Sequence, residues 1–305
     1  MERLKSVFSS RAPVIGVPYA FLLLFFLLPF LVVMKISVSE MEVVTFKDLL
    51  TWEEGVLQLT LKFGNYLYIL EDPLYVSTYL SSVKYAAATT VLCLFIGYPF
   101  AYFMARAKPT LQPALLMLVM LPFWTSFLLR VYAWKGLLSE NGWVHDALVG
   151  TGVDQLLFAL GLIPAPGKLM NTPFSLVLGM AYTYLPFMIL PLYANLVKLD
   201  ESLLEASADL GGRPLVTFFH ITLPLSMPGI IAGFMLVFVP AIGEFVIPEL
   251  LGGPDTLMIG RVLWNEFFSN RDWPVASAVA IAMLIVLVVP IMILRSVQAD
   301  KGEAA

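Results

Sequence analysis

Charge and cysteine are scarce in this chain. Of 305 residues only 13% are charged while 59% are apolar, and the mean hydropathy is +0.86. The apolar residues come in long blocks rather than at the periodicity of a soluble core, so the composition points to a polytopic membrane protein. A formal net charge of -4 leaves no basic field for nucleic acid. Cys93 is the single cysteine, which excludes a disulfide framework within the chain, and its place inside an apolar run suits a buried, unreactive thiol.

Histidine is limited to His145 and His220, and the chain has neither a His-Glu-x-x-His helix nor a Gly-x-Ser-x-Gly turn. An intramembrane enzyme therefore has no residues to stand on. The stretch from Gly161 to Lys168 approximates a phosphate-binding loop but fails it three times. It has one residue too many between its glycines, Leu169 in place of Ser or Thr, and a predicted outer location. No catalytic residue, nucleotide site or metal site is expected in this chain.

A bilayer core about 30 Å thick takes roughly 20 apolar residues of helix, because lipid cannot satisfy backbone polar groups. Six uncharged stretches qualify: Val14 to Met34, Tyr85 to Ala105, Pro109 to Leu129, Leu169 to Val197, Ile221 to Gly243 and Trp273 to Leu294. The prediction is an all-α polytopic protein with spans at about 14–36, 80–105, 110–134, 173–197, 224–248 and 274–295, in one integral domain over 1–305. Gln155 to Gly167 is too short to cross and carries Pro164, Pro166 and Gly167, so it is expected outside the membrane. The first span follows Arg3, Lys5 and Arg11, is too long for a signal-peptide core, and is expected to stay attached.

Placing the basic N-terminus inside puts Arg106, Lys108, Lys198, Arg213, Arg295 and Lys301 on the same side. Both termini and the segment 198–220 are then cytoplasmic. The first outer loop interleaves Glu40, Glu42, Asp48, Glu53, Glu54, Glu71 and Asp72 with Trp52, Phe63, Tyr66, Tyr68, Tyr75 and Tyr79. That pattern suits a docking face or an interfacial aromatic belt with solvated acids.

Within the inner segment, Ser202-Leu203-Leu204-Glu205 has the spacing of a capping box and predicts the start of a short helix. Gly211 and Gly212 suit the turn that ends it, and Pro214 the first turn of another helix toward His220. Ala206, Ala208 and Gly211 allow close approach, while Leu203, Leu204 and Leu210 offer apolar contact, as in helix-in-groove recognition. Glu205 either caps the helix or pairs with a basic group on a partner.

The spacing of Glu205-Ala206-Ser207, Gly211, Ile221, Leu223 and Pro224 resembles the EAA loop of ABC importer permeases, with Ser207 in place of that family's second alanine. Phe123-Trp124-Thr125-Ser126-Phe127, Arg130 to Trp134, Gly243 to Asp255 and Asn270 to Ala278 are similar to polyamine permeases, above all those for putrescine, with spermidine permeases as near neighbours. The resemblance implies a type I importer fold and a permease subunit that moves a polyamine inward across the bacterial inner membrane. It also implies a second homologous permease, two copies of a cytoplasmic ATPase carrying ATP and Mg, and a periplasmic polyamine-binding protein. Leu203, Leu204, Glu205, Ala206, Ser207, Gly211, Ile221, Leu223 and Pro224 are the implied ATPase-coupling residues. Permeases for iron, sulfate or amino acids are similar and stay open as alternatives, as does an ion-coupled transporter or channel.

Charge is costly in hydrocarbon unless it is paired or lines a cavity, which singles out Lys84, Arg130, Glu244 and Glu249. Glu244 follows Pro240 and Gly243 and precedes Pro248, so the helix should bend or break there and free carbonyls for a cation. The alternatives are pairing of Glu244 or Glu249 with Arg130 or Arg261, or a place at the water boundary. Trp124, Tyr132 and Trp134 suit either cation-π cradling of an ammonium or interfacial anchoring.

Overall fold

The computed structural model describes residues 14–41, 50–53, 56–59 and 61–303, apart from the side chains of 50–59, 289–291 and 293–303. In chain order the elements begin with α1 (Val14–Ser37), which takes a π turn over Leu23–Leu27. Strands β1 (Leu50–Glu53) and β2 (Val56–Leu59) follow, then α2 (Gly64–Glu71) and α3 (Pro73–Arg106). Next come α4 (Gln112–Trp124), α5 (Phe127–Leu138), α6 (Trp143–Gly150), α7 (Val153–Ala159) and α8 (Pro173–Leu196). The chain continues through α9 (Ser202–Asp209), α10 (Pro214–Ile242), α11 (Val246–Leu250), α12 (Ile259–Trp264) and α13 (Trp273–Glu303).

Among the described residues α1, α3, α8 and α10 are long and apolar enough to cross a membrane. Prolines inside them, among them Pro29, Pro99, Pro186, Pro191, Pro224, Pro228 and Pro240, do not end these helices. Lipid leaves the backbone no alternative partner, so interruptions are absorbed within the helix. The stretch expected to span over 110–134 is bent, because α4 and α5 meet at 86°, as in a broken span or a re-entrant loop. Pro122 accepts from both Thr125 N (3.3 Å) and Thr125 Oγ1 (2.8 Å), and Thr125 and Ser126 are non-helical, so the chain turns there. The expected sixth span lies on α13, whose stretch Trp273–Val288 is apolar.

The architecture is helical, as expected, with one short hairpin between α1 and α2 among the described residues. Residues Leu50-Thr51-Trp52-Glu53 pair antiparallel with Val56-Leu57-Gln58-Leu59, Leu50 opposite Leu59. Threonine, valine and tryptophan favour the pleated backbone over a helix. The acids expected at positions 42, 48 and 54 lie outside the described residues.

The structure forms two compact units, Met1–Val76 with Leu263–Ala305 and Ser77–Val262. In the first, α13 packs along α1 and α2. Asn65 Nδ2 donates to Ser37 O (2.9 Å) and Ser39 O (3.0 Å), Tyr66 shares a 2.8 Å hydrogen bond with Ser37, and Lys62 pairs with Glu40 at 2.5 Å. Tyr75 donates to Glu266 at 2.9 Å. Glu40, Tyr66 and Tyr75 of the acid-aromatic outer loop are thus tied internally, whereas Phe63 and Tyr68 are exposed.

In the second unit α8 packs on α10. A Cβ on Gly229 would stand 3.0 Å from Pro191 O, and one on Gly233 3.2 Å from Met188 O, so these glycines set how closely the two backbones approach. Cys93 is fully buried, and its thiol faces Ala181 O at 3.6 Å. At the N-terminal end of α8, helices α6 and α7 enclose a small core of Leu138, Leu157, Ile163 and Leu169, against which Phe174 and Leu178 of α8 also pack. The segment Gln155 to Gly167 belongs to this folded cap.

Candidate functional site

The inner segment is a helix, a glycine turn and a second helix that does not stop. Helix α9 runs from Ser202 to Asp209, and Gly211 N and Gly212 N close it by donating to Ala208 O (2.9 Å) and Ser207 O (2.8 Å). Gly211 adopts φ 79°, a left-handed conformation open to glycine at little cost. Pro214 then opens α10. The second helix runs toward His220 as expected, and beyond it passes through a π turn over Phe218–Thr222 and continues to Ile242. The turns next to α9 and the apolar span are therefore one helix.

The expected capping box does not form. The helix starts one residue early, Glu201 takes the cap position, and the Ser202 amide donates to Asp200 Oδ1 at 3.0 Å. That bond is the main reason why the Asp200 carboxyl is held below the usual range. Glu205 is free of the cap; it is exposed and has no partner among the described residues. Leu203 and Leu210 are exposed, at 43% and 89%, together with Ala206 and Ala208. Ser207 is half-buried and shares a 2.7 Å hydrogen bond with Thr217. The hydroxyl that an alanine would lack thus ties α9 to α10. Ile221 and Leu223 are half-buried and Pro224 exposed farther along α10.

The second cluster lies where α10 ends. Gly243, Glu244 and Phe245 separate it from α11, so the helix breaks inside the stretch 224–248 that was assigned to one span. Glu244 Oε1 accepts the amides of Phe245 (3.2 Å), Val246 (3.0 Å) and Ile247 (3.4 Å), and its Oε2 accepts the Tyr184 hydroxyl at 2.5 Å. Tyr184 lies against Phe187, which meets Phe123 edge-on at 5.0 Å. The Arg130 guanidinium faces the Phe123 and Phe127 rings at 5.7 and 6.0 Å. No basic side chain pairs with Glu244 among the described residues.

The family described as binding-protein-dependent transport system inner membrane component matches residues 9–299. The chain belongs to this family.

Relatives of the permease agree with that placement. It is 41% identical to the spermidine/putrescine transport system permease protein PotB of Escherichia coli (strain K12) over 235 residues, 77% of this chain and 82% of the relative. The PotB protein of Haemophilus influenzae is 42% identical over 73% of this chain and 75% of its own length. In fold, the permease is similar to a bacterial ABC transporter involved in import of the polysaccharide alginate. The TM-score is 0.58 at 17% identity, covering 96% of this chain and 98% of that one.

The permease separates the other sequence-predicted residues. Glu249 Oε2 lies 2.5 Å from Arg261 Nε as a close charge contact rather than an aligned hydrogen bond, so this acid is balanced internally. Trp124 and Tyr132 are exposed, at 80% and 54%, whereas Trp134 is half-buried edge-on against Tyr182 at 5.4 Å. Lys84 lies over the Tyr85 ring at 5.3 Å. Sequence reasoning passed over Tyr184, because a tyrosine in an apolar run gives no sign of what its hydroxyl touches.

Proposed function

We propose that this chain is the transmembrane subunit of an ATP-driven importer that carries polyamines, putrescine first among them, from periplasm to cytoplasm by alternating access. It works beside a second homologous permease, two copies of a cytoplasmic ATPase that bind ATP and Mg, and a periplasmic polyamine-binding protein. Both termini and the segment 198–220 face the cytoplasm of a bacterial cell, and the chain itself hydrolyses nothing.

The observation that carries this reading is the exposed apolar helix α9, joined by a glycine turn to a helix continuous with a span. An apolar helix face displayed to water is a docking element, and fusing its neighbour to a membrane helix lets a push outside the bilayer become a tilt within it. Leu203, Leu204, Glu205, Ala206, Ser207 and Gly211 form the docking part. Ile221, Leu223 and Pro224 lie where the push enters the span.

For the cargo, Glu244 supplies a carboxylate at a helix break with no counter-cation among the described residues. Aromatic rings of Tyr184, Phe187 and Phe123 stand along the approach, suited to ammonium groups. The names of the 40%-identical relatives support the same class of substrate.

Reconstitution tests it directly. The chain is co-expressed with its neighbouring permease, ATPase and binding protein, and the purified complex is placed in liposomes with labelled putrescine or spermidine outside. ATP-dependent accumulation is expected. Uptake without ATP, or no ATPase in the purified complex, overturns the proposal.

A further inference from the structure

Tyr98, Tyr102 and Arg106 stand at i, i+4 and i+8 of α3, a stripe along one face of that helix. Tyr98 and Arg106 contact α10 and the start of α9, and Tyr102 faces both across a cleft. Tyr98 shares a 2.9 Å hydrogen bond with Ser226 of α10, and its ring meets Phe218 edge-on at 5.5 Å. Tyr102 lines a cleft of about 240 Å³ together with Leu204 and Ala208 of α9 and Thr217 and Phe218 of α10. Arg106 donates at 2.7 Å to Glu201, the residue at the cap position of α9, and its guanidinium faces the Tyr102 ring at 5.7 Å.

Helix α9 is otherwise held by the Lys198–Glu201 segment, by two glycines and by the Ser207–Thr217 hydrogen bond to α10. A displacement of α9 would pass directly into α10, but α3 would feel it only through side chains. The geometry points to the Tyr98-Tyr102-Arg106 stripe as the strut that carries movement of the coupling helix into α3, with the Arg106–Glu201 ion pair as its outer link. This rests on the importer reading above and adds positioning residues to it.

The two ends of the strut differ in kind. Tyr98 and Ser226 are buried, so that end is part of the packed core. Arg106 is 22% exposed and Glu201 74%, so their pair contributes little to folding and its removal leaves the fold in place. What it changes is whether α3 and α9 move as one body.

Arg106→Glu and Glu201→Arg are made singly and together in the full complex in liposomes, reading ATPase copurification, the thermal midpoint and polyamine taken up per ATP hydrolysed. Each single change is expected to lower the uptake-to-ATP ratio by about five- to tenfold, with copurification and the midpoint unchanged. The double exchange restores the ratio to within about twofold, and Arg106→Lys keeps most of it, because a cation still reaches Glu201. An unchanged ratio in both single variants, or a double variant no better than the singles, overturns the strut while leaving the importer reading in place. If the unaltered chain does not copurify with an ATPase, the importer reading falls and the strut with it.

Discussion

The Tyr184 hydroxyl holds one oxygen of the Glu244 carboxylate at 2.5 Å while three consecutive backbone amides hold the other. Both oxygens are satisfied, but no cation balances the charge among the described residues. A half-buried anion oriented this way is stabilised by hydrogen bonds and still attracts a cation. The same carboxylate closes the N-terminus of α11, so the break in the helix and the charge at the break have one cause.

That double role allows the two functions to be separated. Glu244→Gln keeps a carbonyl oxygen for the amides of Phe245, Val246 and Ile247 but removes the charge, so assembly is expected to persist while polyamine uptake in membrane vesicles falls roughly tenfold. Glu244→Ala loses the cap as well and is expected to cost about 1 kcal/mol of stability. Uptake unaffected by the glutamine variant would remove this carboxylate from the substrate path.

Leu203 leaves 43% of its surface exposed on α9. Leu203→Asp is therefore expected to move the thermal midpoint by no more than about 0.5 kcal/mol equivalent. It should nevertheless abolish ATPase copurification, since a carboxylate on the docking face has to be desolvated in an apolar groove. A channel would conduct regardless, so flux that survives loss of the ATPase excludes the lever mechanism.

The sequence exposed those features that a local rule governs. Hydropathy located the long helices because lipid forbids unpaired backbone, and Gly211, Gly212 and Pro214 marked the turn because few residues suit such positions. It also signalled the helix break at Gly243 through flanking prolines. Pairing across the fold was another matter. Glu249 meets Arg261, Arg106 meets Glu201 across 95 positions, and Glu244 meets a tyrosine rather than a base. Charge lists name the candidates without choosing among them. The 86° bend between α4 and α5 was hidden for a similar reason, as hydropathy is blind to direction; Pro122 before Thr125-Ser126 was the available signal.

His145 in the α6–α7 cap gives a pH-dependent outcome. Its ring nitrogens face Asp146 Oδ1 at 3.2 Å and Gly167 O at 2.9 Å, two acceptors that only the doubly protonated ring satisfies together. Its pKa is raised from the ordinary 6.5 mainly by the hydrogen bond to Asp146 and then by that to Gly167. A pKa raised by folding stabilises fully below the unfolded value of about 6.5, and the contribution disappears as pH climbs through the folded value. The thermal midpoint is expected to fall between those limits as pH rises, and His145→Gln to remove that part of the slope. An identical slope in the variant would assign the effect to another group.

The glycine turn permits a paired test of whether α9 must be held at a fixed angle to α10. At Gly211 the obstacle to a side chain is conformational: φ is 79°, yet nothing lies within 4 Å of where a Cβ would stand. Alanine there costs about 1 to 2 kcal/mol for the left-handed backbone and leaves the packing alone. At Gly212 the obstacle is steric, because a Cβ would stand 2.5 Å from Ser207 Oγ and 2.7 Å from Ser207 O. A backbone carbonyl cannot rotate aside as a flexible side chain would, so α9 has to swing away and strain both the Gly212 amide bond to Ser207 O (2.8 Å) and the Ser207–Thr217 hydrogen bond (2.7 Å). Gly212→Ala is therefore expected to depress uptake per ATP more than Gly211→Ala does, even where their thermal midpoints are similar. The opposite order would mean that conformational freedom at Gly211, and not the seating of α9 against Thr217, governs transmission through the turn.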